Sequence, residues 1–154
     1  MLDQTIREVV ERKLALLVGY VDELSPLVAG TTPCDSKGNV ARRAIERLVQ
    51  VIVEVTIDVN GLLATAEGQP QPRTARESFR AAATAGFLPE KTAERFITSY
   101  VGLRNRIVHD YDTLDARLVE DAARRLAADG LHYAKQVRAW LSTRGGDPTR
   151  DRAS

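Results

Sequence analysis

The sequence predicts an all-α domain, a bundle of about five helices, and three observations carry that expectation. Apolar residues recur at three- and four-residue spacing through long stretches, the period of a helix with one buried face. Clusters rich in Pro, Gly, Asn and Thr separate those stretches, where a helix must stop. No run alternates apolar with polar residues as a half-buried strand would, and no segment repeats another. With 154 residues, 44% hydrophobic and 28% charged, the chain holds enough apolar material for one ordinary core.

Each element can be justified in order. Ile6, Val10, Leu14, Leu17, Val21 and Leu24 mark a first helix, with Ser25-Pro26 as its expected end. Turn formers then run from Thr31 to Asn39, and Asn39 is placed to cap the next helix by accepting from a free backbone amide. From Val40 the pattern Ala44, Leu48, Val51, Ile52, Val55, Val59, Leu62 and Leu63 continues to Gly68, which suits a left-handed C-cap. Such a helix is about 40 Å long.

Gln69-Pro70-Gln71-Pro72 cannot continue it, and Thr74 with Glu77 forms a capping box that opens a short third helix ending at Gly86. Pro89 suits the first position of a fourth helix, whose apolar face is Phe96, Ile97, Tyr100, Val101 and Leu103. Beyond Tyr111-Asp112-Thr113 a fifth pattern carries Leu118, Val119, Ala122, Leu126, Tyr133, Val137, Trp140 and Leu141 before Gly145-Gly146. Residues 1–144 therefore read as the helical domain and 145–154 as a disordered tail.

Composition removes several classes of function. Cys34 is the only cysteine, so one chain can build neither an internal disulfide nor a cysteine-based zinc cluster. No segment reads as apolar enough to cross a bilayer and no signal peptide opens the chain, so a cytoplasmic protein without a membrane partner is expected. The net charge of +1 leaves no whole-molecule attraction for nucleic acid, so any RNA site must be local.

One segment concentrates chemistry. Gly102 to Tyr111, GLRNRIVHDY, places Arg104, Asn105, His109 and Tyr111 at a predicted helix end, where side chains can converge on a ligand. Histidines titrate near ~6.5 and exchange protons at neutral pH, while arginine offers phosphate a planar, permanently charged fork. On residue chemistry alone His109 is either a helix-end histidine facing the C-terminal dipole or an acid-base group, and Arg104 could steady charge on phosphorus, a route that needs neither metal nor cofactor. Five positions at 100° per residue set the two about 140° apart on one helix. Asn105, four residues before His109, shares its face and could orient the imidazole or bind phosphate. A second chain related by a two-fold axis would supply the motif twice, and Gly102 would permit close approach there.

Arg104, His109 and Tyr111 match the Arg-x4-His-x-Tyr signature of the HepT branch of HEPN proteins, and the segment from about Ala41 to Leu141 resembles that family more loosely. The resemblance implies a HEPN-like bundle forming a two-fold homodimer and a toxin that cleaves RNA without a metal. It also implies a nucleotidyltransferase antitoxin of the MntA type, which would add AMP to Tyr111; nothing in the chain resembles that enzyme's own motif. Two other classes compete with the nuclease: a noncatalytic helical subunit that binds nucleotides or supports a nucleotidyltransferase, and a plain dimerisation module.

Other polar residues stay open at this level. Asp58 interrupts the run Val55–Val59 and could face the motif arginines or solvent. Tyr111 could equally fill the core. His132 has no second ligand nearby and reads as structural or exposed. Arg73, Arg76 and Arg80, like Lys37, Arg42, Arg43 and Arg47, could track a phosphate backbone or simply be solvated faces.

Overall fold

In the computed structural model, residues 2–29, 38–109 and 114–144 are described. They form α1 (Gln4–Ala29), α2 (Gly38–Ala66), α3 (Ala75–Ala85), α4 (Glu90–Phe96), a π-helical turn (Ile97–Val101), α5 (Gly102–His109) and α6 (Ala116–Arg144). Because the π turn joins α4 to α5 without a break, the described residues make five helical rods and contain no strand, as expected. α2 is the central rod and packs against α1, α3, α5 and α6.

The local rules act where the sequence places them. Thr74 Oγ1 accepts from the Glu77 amide at 3.1 Å, and the Glu77 carboxylate accepts from the Arg73 amide at 2.8 Å, which closes the capping box. Gly68 and Gly86 lie in the left-handed region at φ 85° and 87°, a conformation that L side chains resist, and each ends its helix there. Pro89 stands one residue before α4 instead of inside it.

Other expectations fail. α1 does not stop at Ser25-Pro26 but runs on to Ala29. Pro26 removes only one bond so near the helix end, Val28 gains burial in the core, and Arg124 Nε donates to the Val28 carbonyl at 3.2 Å. Leu118, read as core, is 56% exposed. Val40–Ala66 is long and apolar enough to cross a bilayer, against the sequence reading, but most of that stretch is buried inside the bundle. α2 begins at Gly38, so Asn39 falls within its first turn, and the Asn39 side chain lies outside the described residues.

The core is one continuous cluster. Leu14, Leu17, Val21 and Leu24 of α1 meet Ile52, Val53, Val59 and Leu63 of α2 and Leu126, Tyr133, Val137 and Leu141 of α6. Gly130 lets α6 lie close against α1 and α2: a Cβ there would lie 3.1 Å from Val21 Cγ2 and 3.8 Å from Ile52 Cγ2. Phe79, Tyr100 and Tyr133 each pack against Phe96, with ring centroids 5.1–5.6 Å from its own.

One polar network is sealed within this core. Tyr133 Oη donates to Asn60 Oδ1 at 2.6 Å and lies 3.1 Å from the Thr56 carbonyl, while Asn60 Nδ2 donates to Ser78 Oγ at 3.4 Å. Burial pushes the Tyr133 phenol well above its ordinary pKa, because no solvent is present to stabilise phenolate. Asn60, like Asp58, is a polar interruption of an apolar run, and that interruption is the sequence signal of this network.

Candidate functional site

The motif helix is aimed by the turn before it. Thr98 Oγ1 donates to the Glu94 carbonyl at 2.9 Å and competes with the backbone for that acceptor, which favours the departure from α geometry. Tyr100, inside the π turn, donates its hydroxyl to Asp129 of α6, and Arg95 Nε donates to the same oxygen at 2.6 Å. Burial first, then the bond to Asp129, raise the Tyr100 pKa. An i→i+5 turn takes up one residue more than an α turn, so everything in α5 sits about 100° behind an unbroken helix.

α5 then divides into two faces. Ile107 is buried and Leu103 half-buried against the bundle, with Arg104 half-buried at their edge. Gly102, Asn105 and His109 are exposed and fall within about 60° of one another, a strip on the outer side. A Cβ on Gly102 would meet nothing within 4 Å, so packing within this chain does not require glycine there.

Arg104 and His109 therefore diverge, as their 140° separation implies. Arg104 lines a cleft of about 700 Å³ together with Lys13 of α1, Asp58, Gly61 and Leu62 of α2, and Arg73 before α3. Its Nη1 donates to Asn105 Oδ1 at 3.0 Å, and its Nε is buried with no acceptor among the described residues. His109 does not line that cleft. Asn105 shares the exposed face of His109, yet the bond it makes is to Arg104. Tyr111 and the tail 145–154 lie outside the described residues.

The other candidates also find their places. Asp58 is largely exposed, lines the Arg104 cleft and pairs with Lys13 at 3.5 Å, a partner the sequence reading did not name. Arg42 leaves its proposed row: it binds the Glu46 carboxylate at 3.0 Å and the Leu114 carbonyl at 2.9 Å, and so ties α2 to the segment before α6. Arg73 faces the cleft, while Arg80 approaches Glu94 at 3.9 Å. His132 is exposed in a shallow depression with Lys91, Arg95 and Asp129.

This architecture is shared with known proteins. The structure of YutE, a cytosolic protein of unknown function from Bacillus subtilis, superposes with a TM-score of 0.76 at 14% identity, covering 94% of each chain. An AMPylated HEPN toxin of Shewanella oneidensis, solved with its MNT antitoxin, gives 0.73 at 19% identity over 85% of this chain and 97% of its own. A toxin-antitoxin crystal structure with AMP-PNP gives 0.72 at 17% over 84% and 97%. In sequence, the tRNA nuclease HepT of Aphanizomenon flos-aquae is 28% identical over 136 residues, 88% of this chain and 91% of that protein. The family described as Ribonuclease HepT-like matches residues 4–137, reaching well ahead of Ala41 to take in α1. The fold is that of HEPN toxins, and with the family pattern running from the first helix into the last, the chain belongs to the HepT-like ribonuclease family.

Proposed function

We propose that this chain is the toxin of a toxin–antitoxin pair, a cytoplasmic endoribonuclease that cleaves RNA by acid-base chemistry without a metal. The observation that carries the reading is the pairing on one short helix of Arg104, whose buried Nε finds no acceptor among the described residues, with an exposed His109. The family supports it, as does a relative named as a tRNA nuclease.

In the proposed reaction His109 takes the proton of a ribose 2′-hydroxyl, and that oxygen bonds to the adjacent phosphorus. The bond from phosphorus to the 5′-oxygen breaks, the leaving oxygen regains a proton, and a 2′,3′-cyclic phosphate remains. Arg104 neutralises charge on the phosphoryl oxygens as it builds up. Since the two side chains diverge within a chain, the site is completed in a homodimer whose motif helices face each other, so that His109 of one chain meets Arg104 of the partner subunit.

A nucleotidyltransferase antitoxin of the MntA type would transfer AMP from ATP to the Tyr111 hydroxyl with loss of pyrophosphate. The adduct places phosphate beside the motif, where it competes with RNA for Arg104. A neighbour in fold is an AMPylated toxin held by an MNT antitoxin, which supports such a partner.

The test is to incubate unmodified protein with total RNA and chelator. Wild type should yield fragments ending in cyclic phosphate, and Arg104→Ala and His109→Ala should yield none while keeping their helicity. Wild-type rates in either variant, or activity abolished by chelator, would overturn the mechanism. Mixing the two dead variants should restore cleavage if the residues act across the dimer.

A further inference from the structure

We infer that the cleft beside Arg104 seats one nucleotide of the RNA strand, the base on its apolar floor and the phosphate at its cationic rim. The inference rests on the ribonuclease reading for the role of Arg104 and adds a place for substrate that the motif itself does not contain.

The cleft's chemistry is divided in the way a nucleotide is divided. Ile57 and Leu62 of α2, Ile6 of α1 and Pro72 supply apolar surface. Gly61, buried at this wall, keeps it open: a Cβ there would already stand 3.5 Å from Gln71 Nε2, and any longer side chain would enter the space. About 700 Å³ lies within the range of pockets that enclose small organic ligands. A base against this surface loses water from a flat face.

Charge selects an anion for the remainder. Lys13 and Asp58 offset each other at 3.5 Å. Among the described residues neither Arg73 nor Arg104 has a carboxylate partner, so the rim carries two unmatched positive charges. The Arg104 Nε, buried without an acceptor among the described residues, is a donor that a phosphate oxygen would satisfy. Thr65 Oγ1 donates to Gln71 Oε1 at 3.0 Å, which holds the Gln71 amide with its NH2 toward Gly61, placed to donate to an acceptor on the base edge.

Binding can be read without cleavage by using a 2′-O-methyl hexanucleotide, which lacks the attacking hydroxyl, and 5′-AMP as the smallest probe. Methyl NMR of the full chain should show AMP shifting the Ile6, Ile57 and Leu62 signals. Gly61→Leu fills the floor and should weaken the hexanucleotide on the order of tenfold, the size expected for one lost base contact. Arg73→Ala, an exposed change that spares the fold, should weaken the hexanucleotide and AMP but not adenosine.

Unmoved methyl signals, or wild-type hexanucleotide affinity in both variants, would overturn the inference. So would a Gly61→Leu chain that becomes monomeric while retaining its affinity, since the cleft would then belong to a second copy. If wild type binds the hexanucleotide through the cleft yet cleaves no RNA, the nuclease reading fails and the seat stands. If Gly61→Leu cleaves RNA at the wild-type rate, the seat fails and the nuclease stands.

Discussion

Removing the Tyr133 hydroxyl tests whether the sealed network holds α2 to α6. Tyr133→Phe keeps the ring among Phe96 and the surrounding core but deletes the donor that lies 2.6 Å from Asn60 Oδ1. The Thr56 carbonyl keeps its helical partner, whereas Asn60 Oδ1 is left buried without a donor, a loss of about 1–3 kcal/mol. Urea unfolding at one fixed protein concentration reads this as a lower midpoint with an unchanged slope. The same residue sets an alkaline limit. Its folded pKa is raised, so its contribution is complete below the unfolded value near ~10 and is lost as pH climbs toward the folded value. Within that window each such tyrosine lowers stability by about 1.4 kcal/mol per pH unit, and Tyr100 adds a second. Tyr133→Phe should therefore be less stable than wild type at pH 8 and should lose less on going to pH 11. Equal midpoints at pH 8, or parallel declines above pH 10, would refute the argument.

Three further outcomes follow from particular contacts. Tyr100→Phe frees the π turn from Asp129 and should cost about 1.5–3 kcal/mol; RNA cleavage per folded molecule should fall as Arg104 loses its aim, and full specific activity would count against that role of the turn. Gly130→Ala gains about 1 kcal/mol of helix propensity, but it drives a Cβ to 3.1 Å from a fully packed, β-branched Val21, so thermal unfolding should show net destabilisation; a stabilised variant would mean that α1 can yield. Tyr111→Phe should escape AMP addition in intact-mass spectra and stay toxic beside the antitoxin, and full neutralisation of that variant would assign inhibition to complex formation instead.

Much of the fold was legible because its causes are local. Capping at Thr74 and the left-handed glycines 68 and 86 depend on a few neighbouring residues, and helical periodicity survives in any packing arrangement. The motif was equally plain: Arg104, Asn105 and His109 lie within six positions, and their angular separation follows from helix geometry alone. The sequence by itself thus determined five helical rods, the caps at Thr74, Gly68 and Gly86, and the identity of the chemical groups.

Only the tertiary structure decided which way those groups face. The π turn, tied to Asp129 from a distant helix, shifts α5 by about a residue's rotation that no periodicity reports. Pro26 was tolerated because Val28 found a core to enter and Arg124, 96 positions away in the chain, to bind its carbonyl. Lys13, Asp58, Arg73 and Arg104 share a cleft although they come from four separate segments. Contacts of that kind depend on how rods cross, and the crossing is set by the whole buried surface together, whereas a single sequence records only what each rod would do alone.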